Sequence, residues 1–194
     1  MEKLSRSDLY SLEEYASIRS DFRAQVMSHK KCRQVHIGDH ATLYFEDRLT
    51  MHYQVQEMLR AERTFEAEGI QEELDVYNPL IPDGSNWKAT FMIEYVDEEE
   101  RQIALMGLVG IEDCVWIRVE GYDKIPPIAD EDLQRSNDDK TSAVHFMRFE
   151  LTDEEVSAVK SGASISMGIE HPGYHFEIEP VSQNIRDSLA YDLD

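Results

Sequence analysis

Tyr15, Ile18, Phe22 and Val26 fall on one helical stripe. Ser11-Leu12-Glu13-Glu14, just before it, has the spacing of a capping box, so a helix is predicted from about Leu12 to Ser28. The basic run His29-Lys30-Lys31-Cys32-Arg33 closes this helix and suits the negative end of its dipole; it is also a candidate anion grip. Gln34 to Ile37 and Thr42 to Glu46 read as strands around the turn signal Gly38-Asp39. Leu49 to Val55 fits either period, but the strong helix formers from Gln56 to Arg63 favour a helix from about Thr50 to Glu68, ended by Gly69. Ile70 to Tyr77 is a shorter helical piece that cannot run far past Asn78-Pro79. Pro79 to Asn86 has loop chemistry, with apolar Leu80 and Ile81 expected to plug the edge of the core.

One block then occurs twice. Phe91-Met92-Ile93-Glu94-Tyr95-Val96-Asp97-Glu98-Glu99-Glu100 matches Phe146-Met147-Arg148-Phe149-Glu150-Leu151-Thr152-Asp153-Glu154-Glu155 with one inserted residue. Each copy runs from an aromatic-rich strand into an acidic helix start, and each helix gives way to a second strand, Val115 to Glu120 or Ile165 to Glu170. Gly121 to Asp139, with Pro126-Pro127, reads as a linker between the units. After Pro172-Gly173 the chain returns from Tyr174 to Glu179; pairing His171 with Tyr174, Ile169 with Phe176 and Met167 with Ile178 puts the apolar residues of this hairpin on one face. Val181, Ile185 and Leu189 stripe a last short helix. The expected fold is therefore α+β: one domain over 1–194, with a helical and hairpin N-terminal part (1–86), two strand–helix–strand units (87–120 and 140–180, the second closing in the C-terminal hairpin) sharing one core and joined by a linker (121–139), and a C-terminal helix and tail (181–194).

A length of 194 residues is ample for a core, and 41% hydrophobic residues with mean hydropathy -0.52 are ordinary for a globular chain. The charge is not ordinary: 40 Asp plus Glu against 19 Lys plus Arg give -21. Such a polyanion repels phosphate backbones and anionic membranes, so neither nucleic acid nor membrane is an expected partner. No apolar run approaches the ~20 residues of a membrane span. The start of the chain shows no apolar signal region, and Cys32 and Cys114 lack metal-ligand spacing. Two reduced thiols in a cytoplasmic protein are the expectation.

No phosphate loop, dinucleotide fingerprint, HExxH, GxSxG elbow or EF-hand loop is present, and no cofactor is called for. The chemistry that remains is scattered. Glu62 lies on the apolar stripe of the second helix, where a carboxylate must find a cation or shift its pKa; burial and a partner from another element are expected. His145 shares a strand face with Met147, Phe149 and Leu151, in or at the rim of the core. Glu170, His175 and Glu177 share one face of the hairpin and form a ligand set that iron, manganese or zinc could use. His171 and His175 point to opposite faces and make no clamp. If the second unit is a parallel crossover, His145 and His171 sit ~15–20 Å apart at opposite ends of neighbouring strands.

Gln54 to Arg63, Glu73 to Gly84, Lys140 to Phe146 and Gly168 to Pro172 are long stretches that resemble a bacterial family known as a domain of unknown function. The resemblance covers nearly the whole chain. Genes of that family often sit beside those for rubrerythrin and an iron–sulfur protein similar to a heterodisulfide reductase subunit. The resemblance therefore implies peroxide or redox housekeeping. With no cysteine or histidine cluster suited to an iron–sulfur centre or haem, the expectation is a non-enzymatic accessory role in such a system, with rubrerythrin or the iron–sulfur protein docked on the acidic surface. The expected docking places are Asp130 to Asp139 and the helix starts at Asp97 and Asp153. The alternative is a small metal- or ligand-binding enzyme using Glu62, His145 or the Glu170/His175/Glu177 face.

Overall fold

The structure, a computed structural model, describes residues 2–133, 135–137 and 139–194. Helix α1 (Leu12–Lys30) starts at the expected capping box, in which Ser11 accepts from the Glu14 N–H and Glu14 reaches back to the Ser11 backbone. Strands β1 (Gln34–Ile37) and β2 (Ala41–Phe45) form the first hairpin. Helix α2 (Arg48–Glu62) is capped by Asp47. It stops earlier than expected because Arg63 takes a left-handed conformation, φ 55°, and the Thr64 N–H returns to the Leu59 carbonyl. Gly69 therefore terminates nothing and lies inside α3 (Ala67–Tyr77).

The repeated units are β3 (Asn86–Ile93), α4 (Glu98–Gly107) and β4 (Val115–Val119), then β7 (Val144–Glu150), α5 (Asp153–Lys160) and β8 (Ile165–His171). Neither unit is a crossover within one sheet. Strand β3 pairs antiparallel with β7, and β4 pairs antiparallel with β8, so the first strands of both units meet in one sheet and the second strands in another. His145 and His171 consequently belong to different sheets, which replaces the parallel geometry entertained from the sequence. The expected linker contributes to both sheets: β5 (Lys124–Ile125) pairs with β4, and β6 (Ile128–Ala129) with β7. Gln134 and Asp138, within that linker, lie outside the described residues. Strand β9 (Tyr174–Ile178) returns on β8 in the expected register, His171 opposite Tyr174 and Met167 opposite Ile178. Helix α6 (Gln183–Ala190) follows.

The strand order is β1-β2-β3-β7-β6 in the five-stranded sheet and β5-β4-β8-β9 in the four-stranded sheet. Trp87, Phe91 and Phe149 from the first sheet and Ile117, Ile165 and Met167 from the second join one buried cluster, so the two units share a core in a single α+β domain. A smaller cluster, with Met51, Val55 and Leu59 of α2 against Leu74 of α3, Leu4 and Ile81, holds the N-terminal helices together. Ile81 thus plugs a core edge, as its place in a polar loop suggested.

Candidate functional site

Strand β7 alternates along its length, and its inward positions place His145 on the core side with Met147 and Phe149. The ring is fully buried, opposite Phe91 of β3. A buried imidazole needs partners for both nitrogens. The Asp130 carboxylate takes Nδ1, 2.7 Å from its Oδ2. Asp130 follows β6 with φ 53°, a left-handed conformation that Asp tolerates better than most residues. That turn lets its N–H donate to the Phe146 carbonyl (2.8 Å) while Oδ1 accepts from the Phe146 N–H (3.2 Å), which fixes the carboxylate against the ring.

Oxygens surround Nε2. The Thr141 hydroxyl lies at 2.9 Å, the Ser142 carbonyl at 3.1 Å and Glu112 Oε2 at 3.9 Å. Glu112 is buried in the short turn before β4, where it accepts from the Thr141 hydroxyl (3.1 Å) and from Ser136 Oγ. Ser136 and Thr141 also touch each other at 2.8 Å. Arg135 approaches Asp130 at 3.4 Å, but among the described residues no Lys or Arg is ion-paired with Glu112. Among the described residues Glu112, Asp130 and His145 bring metal-ligating atoms within 4.8 Å of one another.

The Ser142 carbonyl has no proton to give, and Nδ1 is already directed at Asp130. Its approach to Nε2 is therefore favourable only with a proton on Nε2 or a cation between the two atoms. Two ligands each ~2.1 Å from one ion stand ~3.0–3.5 Å apart at octahedral or tetrahedral angles. The Ser142 carbonyl meets that spacing from Nε2 and the Thr141 hydroxyl falls just short of it, while Glu112 Oε2, at 3.9 Å, stands beyond it. Asp130 on the opposite nitrogen is the outer carboxylate that commonly fixes the tautomer of a metal-bound histidine.

Of the other expected residues, Glu62 is exposed rather than buried, and no cation pairs with it among the described residues. The buried stripe of α2 ends at Leu59, and the chain reverses at Arg63 before a core can form over Glu62. Glu170, His175 and Glu177 do share the outer face of the hairpin, with Glu170 opposite His175, but all three face solvent on and beside an edge strand. Glu170 is taken by Lys124 at 2.5 Å, and that ammonium holds its carboxyl below the ordinary range. His171 is bonded to the Val109 carbonyl and the Gly173 N–H. Sequence reading missed Glu112, Asp130, Ser136 and Thr141, because β6 and the turn before β4 bring them in from separate stretches. The one local hint was the small polar pair Thr141-Ser142 just ahead of an inward-facing histidine.

Within the basic run at the end of α1, Arg33 proves to be an interior anchor. Arg33 is buried and donates to the Phe45 and Glu46 carbonyls, to Ser188 and to Asp192, while its Nε lies 3.3 Å from Asp47. His29 meets the same Asp47 carboxylate at 2.5 Å. These contacts lock the end of α1 to the start of α2 and the C-terminal tail.

No helix among the described residues is long and apolar enough to cross a membrane. No curated protein matches the sequence. A crystal structure of a novel protein of unknown function from Burkholderia pseudomallei K96243 is 50% identical over 100% of both chains, with a TM-score of 0.95. Residues 3–193 match the family described as Protein of unknown function (DUF3501), and the chain belongs to that family.

Proposed function

We propose that this protein binds one divalent transition-metal ion beside Nε2 of His145, with Glu112, Thr141 and the Ser142 carbonyl completing the protein's share of the ligands. The observation that carries this reading is the 3.1 Å approach of the Ser142 carbonyl to Nε2 while Nδ1 faces Asp130. Among the described residues Glu112 is a buried carboxylate with only hydroxyls and an imidazole for company, and such a group gains most from a cation. A mixed nitrogen and oxygen set without thiolate suits manganese, iron or zinc. The test is elemental analysis of untagged protein. About one equivalent of metal, lost in His145→Ala, is expected. Metal-free protein that also fails to take up Mn²⁺, Fe²⁺ or Zn²⁺ in calorimetric titration would overturn the reading and leave His145 a structural residue.

A specific observation also favours an accessory, partner-docking role. Glu98, Glu99 and Glu100 at the start of α4, and Asp153 and Glu154 at the start of α5, are exposed and form no ion pair among the described residues. In the segment from Asp130, by contrast, Asp130 turns inward to His145, and Glu131 and Asp132 are matched by Arg148 and Arg135. The helix starts are thus the better docking face for a basic patch on a redox partner such as rubrerythrin or an iron–sulfur protein. Capture of such a partner at low salt should fade near 0.5 M salt, where the Debye length is roughly 4 Å. Capture undiminished by salt would rule out a charge-held complex.

A further inference from the structure

The outer face of the five-stranded sheet carries a groove of about 690 Å³ that the His145 centre does not use. Phe146 and Lys88 come from the adjacent strands β7 and β3, and Val76, Leu80 and Leu133 line it from either side. Val76 and Leu133 are 63% and 56% exposed, so apolar surface faces water in a concave place. Most charges around it are already matched. Arg148 bridges Glu131 (2.9 Å) and Glu150 (2.5 Å), Arg135 holds Asp132, and Asp75 accepts from Gln71.

Lys88 is the exception. No carboxylate among the described residues lies within ion-pair distance of it, and its Nζ donates to the Pro79 carbonyl at 2.5 Å. Burial lowers its pKa. The charges of Asp83, Glu131 and Glu150 oppose that lowering from beyond ion-pair distance, and Arg148 adds to it. A half-buried ammonium beside apolar walls with no carboxylate in contact has room for one at its Nζ, which would repair the lost solvation.

We propose that this groove binds a single-chain amphiphile with an anionic head, a fatty-acid-like carboxylate. Its head would rest on Lys88 Nζ and its chain against Val76, Leu80, Leu133 and Phe146. The volume lies within the ~300–1,000 Å³ usual for sites that enclose a small ligand. The overall charge of -21 opposes any anion at long range. At physiological salt that repulsion is screened beyond ~8 Å, and the local ammonium decides.

The test is calorimetric titration of the intact protein with decanoate and with decyltrimethylammonium, each below its micelle concentration. Saturable one-to-one decanoate binding is expected, with the cationic analogue weaker by about tenfold or more, the scale of a charged hydrogen bond. Lys88→Met keeps the length and apolar stem of the side chain; it should weaken decanoate about tenfold and erase the preference for the anion. Leu133→Asp, at an exposed position, should abolish binding without disturbing the circular dichroism spectrum. No saturable decanoate binding by folded protein, equal binding of both amphiphiles, or unchanged affinity in Lys88→Met would overturn the proposal. The His145→Ala variant should still bind decanoate, which separates this site from the metal centre.

Discussion

Arg33 and Asp192, 159 residues apart in the chain, meet at 2.5 Å with both side chains buried, and the guanidinium is shared with a second carboxylate, Asp47. One guanidinium between two buried anions leaves Asp192 the less compensated, because His29 and the Thr50 N–H also serve Asp47. Asp192 Oδ1 finds no hydrogen-bond partner among the described residues. Burial pushes the Asp192 carboxyl up to about 6, with the Asp47 charge adding to the effect and Arg33 opposing it, while Asp47 itself is held below the usual range by Arg33, the Thr50 N–H and His29 against its own burial.

The sign of the resulting pH dependence follows from the direction of the shift. The folded protein holds the Asp192 proton more tightly than the unfolded chain, so this group favours folding at low pH. Its contribution declines as pH rises from the ordinary 3.8 through about 6. Urea midpoints of the wild type and Asp192→Asn should therefore diverge between pH 4 and pH 7, with the variant gaining relative stability as pH rises. A constant difference across that range would show that Asp192 titrates normally.

Removing the shared cation should be far worse. Arg33→Ala leaves two carboxylates and the Phe45 and Glu46 carbonyls without their donor, and should cost ~3–5 kcal/mol, the scale for breaking a buried ion pair from one side. Denaturant unfolding measures it.

Glu57 presents the opposite case. It accepts both Arg19 donors at 2.7 Å and the hydroxyl of buried Tyr15 at 2.6 Å, and these bonds, led by Arg19, lower its pKa to about 2. A depressed carboxyl stabilises the fold above its ordinary 4.5, and that stabilisation is lost as pH falls toward about 2. Glu57→Gln should cost ~1–2 kcal/mol at pH 7, by removing the charge that Arg19 pairs with and weakening the acceptor of the Tyr15 hydroxyl, and the difference should shrink in acid.

Gly168 on β8 faces Trp116 across the pair β4–β8. A Cβ there would sit 2.6 Å from Trp116 Cε2 and 2.9 Å from the Phe176 carbonyl oxygen. Gly168→Ala should therefore destabilise by ~1–3 kcal/mol through overpacking, although alanine ordinarily suits a strand better than glycine. A lowered melting temperature with unchanged secondary structure is the expected readout.

At the candidate centre, Asp130→Asn keeps the shape of the side chain but weakens its hold on Nδ1. Loss of an outer carboxylate of this kind lowers metal affinity ~10–100-fold, against complete loss for His145→Ala. Competition with a chelating dye distinguishes the two.

Local chemistry was legible in the sequence. The Ser11/Glu14 and Thr152/Glu155 capping boxes and the Met167–Ile178 register all depend on residues within a dozen positions of one another. Partnerships over longer spans were not. Nothing in the duplicated block distinguishes a unit folded within one sheet from a unit shared between two, since both bury the same alternate positions. Arg63 carries no signal for a left-handed helix end, so the end of α2 was misplaced and the burial of Glu62 with it. Asp130 was hidden for a related reason: in an acidic, proline-bearing stretch it resembles the solvent-facing aspartates around it.

The described residues between Asp130 and Thr141 face two ways. Inward the segment delivers Asp130, Ser136 and Thr141 to the surroundings of His145; outward it presents Leu133 and Arg135 to the groove. Occupants of the two places would touch neighbouring residues of one segment, and their two binding equilibria form one thermodynamic cycle. If an amphiphile in the groove changes the affinity for metal by some factor, metal must change the affinity for the amphiphile by that same factor. Titrations of each ligand with the other saturating would measure this reciprocity directly, and a segment the sequence presents as a spacer would become the element through which the two faces of the sheet communicate.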